Sequence, residues 1–118
     1  MRHGRLRRRD FEEVFKKGSK GAVGNVVVYV LPNKMPVCRL GFAVSRKVGS
    51  TVKRNRVRRL LREVCRLNED CFKPGYDYVI LGRGSAGEAG YGSMESAVKE
   101  AVRRLKENSI EDTRFSGA

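Results

Sequence analysis

With a single histidine, three cysteines and no C-x-x-C pair, this chain lacks the usual ingredients of a zinc site or a nucleophile–base active site. The histidine is His3, at the chain's end, so a mechanism in which two histidines pass a proton is excluded. Acids are also scarce, 13 against 26 lysines and arginines. Their adjacent pairs, Glu12/Glu13, Glu69/Asp70 and Glu111/Asp112, fall near expected element ends, like solvated caps and unlike carboxylates converging on two metal ions. Long apolar runs are absent too. The longest, Val26-Val27-Val28-Tyr29-Val30-Leu31, has the length of a strand and is too short to span a bilayer. Glutamates interrupt Phe11, Val14 and Phe15, which leaves no signal-peptide core. Cys38, Cys65 and Cys71 form an odd set suited to reduced thiols. The expectation is a cytoplasmic, single-domain protein of 118 residues with no catalytic residue or bound metal of its own, no membrane partner and no small-molecule substrate.

What the chain has in abundance is positive charge, a formal +13. Half of the basic residues fall in two short stretches. Five of the first nine positions are arginine (Arg2, Arg5, Arg7, Arg8, Arg9), and eight cations with no acid lie between Arg46 and Arg62. Such self-repulsion calls for a polyanionic partner. From Val57 the apolar residues Val57, Leu60, Leu61, Val64 and Cys65 follow the i, i+3, i+4, i+7, i+8 spacing of an amphipathic helix. Asn55, Arg59, Arg62 and Arg66 then share the opposite side, with Arg56 and Arg58 flanking them. Guanidinium forks grip phosphate oxygens bidentately, so the pattern points to a nucleic-acid backbone.

Residues 1–9 read as a flexible basic arm, 10–108 as the folded domain and 109–118 as a polar, disordered tail. Asp10-Phe11-Glu12-Glu13 resembles a capping box with Asp10 as N-cap, and Gly18 ends that first helix. Val23–Leu31 and Arg39–Ser45 read as strands joined in a hairpin through Pro32–Pro36. The basic helix begins at Ser50 or Thr51. Tyr76–Leu81 is a third strand. Ser93 caps a last helix whose stripe is Met94, Ala97, Val98, Ala101, Val102 and Leu105. The order is α-β-β-α-β-α, an α+β sandwich.

Gly82-Arg83-Gly84-Ser85-Ala86-Gly87 matches the dinucleotide pattern G-x-G-x-x-G after a strand and before a helix. No strand follows the last helix, and the chain has no room for the rest of such a fold, so the segment 82–92, with five glycines, reads as a flexible loop. Phe11, Phe15, Tyr29 and Phe42 are either core residues or a stacking surface for single-stranded RNA.

Arg39-Leu40-Gly41-Phe42-Ala43-Val44-Ser45-Arg46-Lys47-Val48-Gly49, followed by Val52-Lys53-Arg54-Asn55-Arg56-Val57-Arg58-Arg59-Leu60-Leu61-Arg62-Glu63, resembles the protein subunit of bacterial ribonuclease P. The Arg7–Phe11 and Val14–Gly18 segments and the Tyr29–Pro32 strand end are similar too, so the likeness spans residues 5–106. It implies an α-β-β-(β)-α-β-α fold with a central, mostly antiparallel sheet and a left-handed β-α-β crossover, like the second domain of a small-subunit ribosomal protein and contrary to the usual right-handed rule. Residues 19–23 are expected to supply the extra strand. The partners implied are a catalytic RNA and the 5′ leader of precursor tRNA, which the complex removes by Mg²⁺-dependent hydrolysis, the ions being held mainly by the RNA. Arg46, Lys47, Lys53, Arg54, Asn55, Arg56, Arg58, Arg59 and Arg62 would face the catalytic RNA. Phe11, Phe15, Tyr29 and Val44 would line the leader cleft, and Arg83 is a further candidate. The rival reading is a ribosomal or general RNA-binding module.

Overall fold

The computed structural model describes the backbone of residues 3–117 and the side chains of residues 4–106. The elements are β1 (His3–Arg5), α1 (Arg8–Lys17), β2 (Ser19–Val23), β3 (Val26–Pro32), β4 (Cys38–Val44), α2 (Thr51–Leu67), β5 (Tyr76–Gly82) and α3 (Tyr91–Gly117). Short 3-10 turns lie at Arg46–Val48, Glu69–Cys71 and Gly84–Glu88. The tail expected over 109–118 lies outside the residues whose side chains are described.

The five strands form one sheet in the order β1-β4-β5-β3-β2. It is mixed: β1–β4 and β4–β5 run parallel, while β3–β5 and β2–β3, together the longer ladders, run antiparallel. The expected hairpin between the strands now seen as β3 and β4 does not form, because β5 lies between them. Tyr78, Val79 and Ile80 are buried on both faces of β5, and only a central strand can hide both faces. The β3–β4 connection instead passes over the start of β5, where Asn33 N donates to Gly75 O and Gly75 N to Val37 O, both at 2.9 Å. The strand expected to run unbroken from Val23 turns at Gly24, whose φ of 56° suits a tight hairpin, and Ser19–Val23 does supply a strand.

Side chains alternate across the sheet. Val26, Val28, Cys38, Leu40, Tyr78 and Ile80 face α2 and α3 in the main core, joined by Val57, Leu61, Val64 and the whole expected stripe of α3. On the other face Val79, Leu6 and Val14 form a smaller cluster with Phe11, Tyr29, Leu31 and Ala43 beneath α1.

Three local expectations shift. Over its described part the basic arm is not free: β1 pairs with Cys38–Leu40 and Leu6 is buried, which satisfies an otherwise open sheet edge. Helix α1 consequently starts at Arg8, and Asp10 is its third residue, accepting from Arg7 N at 3.0 Å. Helix α3 starts at Tyr91, two residues before its expected cap.

Candidate nucleic-acid interface

Helix α2 is the rigid centre of the basic surface. Ser50 Oγ accepts from Lys53 N at 3.3 Å and caps it, which decides between the two expected caps, Ser50 and Thr51. Val57, Leu61, Val64 and Cys65 are wholly buried, which fixes the helix's rotation. Asn55, Arg59 and Arg62 are therefore exposed in one row, lining a shallow groove with Val52 and Arg58. Arg58 Nη1 donates to Asn55 Oδ1 at 2.9 Å, and the Arg62 guanidinium lies 5.5 Å from the centre of the Phe42 ring. Arg54 Nη2 reaches Thr51 Oγ1 at 3.3 Å, while its Nε is buried without a partner among the described residues. Arg46 and Lys47 are exposed on the turn after β4, whose Ser45 Oγ accepts from Lys47 N. Among the described residues no carboxylate pairs with Arg46, Lys47, Arg54, Arg58, Arg59 or Arg62.

Lys53 and Arg56 belong to a different arrangement. Lys53 Nζ pairs with Glu88 at 2.9 Å, and Arg56 donates to the carbonyls of Gly87 and Ala89 at 3.2 and 3.3 Å. They bind the glycine-rich segment to the basic helix. That segment is thus no loose loop: Ala86 is buried, and two of its glycines, Gly82 and Gly87, are close approaches. A Cβ on Gly82 would meet Val57 Cγ1 at 2.7 Å, and one on Gly87 would meet Val48 O at 3.0 Å. Of the three pattern glycines, Gly82 packs on α2, Gly87 on the turn at Val48, and Gly84 takes a positive φ of 54° in open space. Arg83 is exposed at the start of this segment, its backbone N–H bound to Asn25 O.

The aromatic residues gather on the α1 face of the sheet. Phe15 meets Tyr29 edge-on at 4.8 Å and Phe11 at 6.3 Å. Phe15 is 41% exposed, unusual for a large apolar side chain beside a core. Phe11 is half-buried over Gly41, where a Cβ would lie 2.5 Å from Phe11 Cζ. Val44 does not join them. It packs with Phe42 on the α2 side, and Ala43 occupies the α1 face instead, because adjacent residues of a strand point to opposite faces.

Sequence reasoning missed the ion-pair network that fastens α1 to this face. Asp77 is buried within β5 and takes a bidentate grip from Arg39, 2.9 Å from Nε and 2.7 Å from Nη2. Asn33 Nδ2 donates to Asp77 at 2.9 Å, and Arg39 Nη1 reaches Asp10 of α1 at 3.4 Å. Asp77 raises the Arg39 pKa further, chiefly through these hydrogen bonds. An acid inside an apolar strand was the available signal, since burial obliges it to find a partner.

The thiols of Cys38 and Cys65 are buried, and Cys71 is half-buried. Burial, with Asp77 nearby, pushes Cys38 from its ordinary 9.0 up to about 12, and burial raises Cys65 too. Among the described residues, no group of three or more His, Cys, Asp or Glu is placed to hold a metal ion.

The sequence model of the Ribonuclease P family matches residues 2–106. The ribonuclease P protein component of Pelotomaculum thermopropionicum is 41% identical over 100 residues, covering 85% of this chain and 89% of that protein. Among solved structures, the Staphylococcus aureus RNase P protein superposes with a TM-score of 0.77 at 28% identity, covering 86% of this chain and 94% of that one. The Thermotoga maritima RNase P protein gives 0.70 at 33% identity, covering 87% and 94%. A capped helix with an unpaired arginine row, a mixed five-stranded sheet and a match over nearly the whole domain lead to one conclusion: the chain belongs to the ribonuclease P protein family, the protein component of an RNA-containing enzyme that processes tRNA.

Proposed function

We propose that the α2 surface binds the catalytic RNA, that the Phe11–Phe15–Tyr29 face binds the single-stranded 5′ leader of precursor tRNA, and that hydrolysis is carried out by the RNA. The observation that carries this reading is the row Asn55–Arg59–Arg62: it is fixed by four wholly buried residues and lacks carboxylate partners among the described residues. A row so held is preorganised for phosphates. The exposed Phe15 ring, edge-on to Tyr29, offers a base a stacking surface.

The protein's donor set does not suit Mg²⁺, which asks for one or two free carboxylates beside substrate phosphates. The acids flanking the basic surface, Glu63 and Glu88, are engaged by Arg66 and Lys53. In this reading the ions belong with the RNA. The chain's contribution is charge: two polyanions repel, and a +13 protein between them lowers the Mg²⁺ needed to bring them together. Leader contacts, which mature tRNA lacks, favour substrate over product. We place this activity in the cytoplasm, where free thiols such as Cys38, Cys65 and Cys71 persist.

The test is cleavage of precursor tRNA by a bacterial ribonuclease P RNA at low Mg²⁺, with and without the protein. Rescue, giving a mature end with a 5′ phosphate, is the expected result. RNA binding without rescue would instead favour a general RNA-binding module.

A further inference from the structure

The two proposed RNA surfaces lie on opposite faces of the sheet, α2 on one and α1 on the other. They meet at the edge of β4. There β1 pairs only with Cys38–Leu40, and Leu6 N adds a bond to Leu40 O at 3.4 Å. Beyond Leu40 no described strand covers β4 on that side. The gap is a cavity of about 350 Å³ whose walls include Arg5, Leu6, Phe11, Phe42, Arg62 and Arg66. Phe11 comes from the aromatic face. Arg62 comes from the arginine row and also lines the α2 groove, so the cavity continues both surfaces.

We infer that this cavity receives one unstacked RNA nucleotide, its base on the apolar floor and its phosphate on the arginine rim. The inference rests on the reading that the two faces bind RNA. Leu6, Phe11 and Phe42 make a floor suited to a base, and the volume is at the small end for ligand sites. Arg62 already lies over Phe42 at 5.5 Å and presents a guanidinium plane of the kind on which bases stack. Arg5 is exposed on β1. Arg66 is held by Glu63, with Nε 3.1 Å from Oε2, and would share its remaining donors with an incoming phosphate. The aromatic–guanidinium floor distinguishes a nucleotide from a bare anion.

Two experiments decide it. The first maps amide shifts of the full chain on adding adenosine 5′-monophosphate, adenosine or inorganic phosphate. The monophosphate is expected to move Leu6, Gly41 and Phe42 at lower concentration than either fragment. Equal response to phosphate alone, or shifts confined to α2, would overturn the inference. The second reconstitutes the RNA–protein complex with Arg5→Ala/Arg66→Ala, both exposed positions that leave the cores intact. Roughly tenfold weaker precursor binding, with mature tRNA unchanged, assigns the nucleotide to the leader. The same loss in assembly assigns it to the catalytic RNA. Wild-type rescue with neither loss overturns the cavity and leaves the proposed function standing. If wild type gives no rescue, the proposed function fails, and the shift map alone decides the cavity.

Discussion

Arg62 and Arg66 stand about one turn apart on α2, yet their partners differ. Arg66 pairs with Glu63 and has only part of its fork left for a phosphate, whereas Arg62 lies over Phe42 with no carboxylate partner among the described residues. Arg62→Ala and Arg59→Ala should each weaken assembly with the catalytic RNA by about 1 kcal/mol and lower the log–log salt slope by about 0.9, checked by filter binding across salt concentrations. Phe15→Ala should leave assembly intact and weaken precursor binding by about 1–3 kcal/mol, with mature tRNA unchanged. Thermal unfolding near that of wild type would accompany this, because Phe15 is partly exposed and Val14 beside it holds the core. A collapse in stability would make Phe15 a core residue. Asp77 is a different case. Arg39→Ala leaves a buried carboxylate with Asn33 alone, and urea unfolding should show a loss of about 3 kcal/mol with unchanged m.

At the scale of elements, the contact between β5 and α2 depends on a missing side chain. Gly82 faces Val57 so closely that Gly82→Ala forces a 2.7 Å approach. A loss of about 1–3 kcal/mol is expected, and a double cycle with Val57→Ala should recover part of it, since the smaller residue makes room for the new methyl. The glycine-rich segment depends on the same helix. Lys53 and Arg56 hold it from α2, so two exposed cations that the sequence groups with the RNA-facing row also fasten this segment. A helical wheel gives angles about one axis; what lies beyond the surface at each angle is a tertiary fact. The slip at Val44 is of the same kind, a one-residue error on a strand that sends the side chain to the opposite face.

For the whole molecule, charge sets a salt limit on binding and burial a pH limit on stability. A +13 chain binds RNA through released counterions, so raising salt from 50 to 200 mM should cost roughly 10³–10⁵ in affinity if six to ten phosphates are contacted. Stability has an alkaline limit. The Cys38 thiol ionises near 9.0 when unfolded and near 12 when folded, so the folded state retains a proton that the unfolded state gives up. Its contribution is whole below pH 9 and is lost as pH rises toward 12; Cys65 and Tyr78, also raised by burial, act in the same direction. Urea titrations at pH 8 and 10.5 should differ by about 1–2 kcal/mol from Cys38 alone, and Cys38→Ala should remove that share.

By itself, the amino-acid sequence determined the features that rest on local periodicity and charge. These are the two amphipathic stripes on α2 and α3, a cap at Ser50 or Thr51, the concentration of positive charge and the family resemblance. Each follows from residues a few positions apart, whose helical angles are set by backbone geometry alone. Tertiary structure alone decided which strands are neighbours, because pairing β3 with β5 in place of β4 joins residues as far apart in the chain as Val28 and Ile80. It also decided that Asp77 meets Arg39, 38 residues away, and that Arg5, Phe11, Phe42 and Arg62 share one cavity. Such meetings are products of sheet order and register, which no local window of sequence contains.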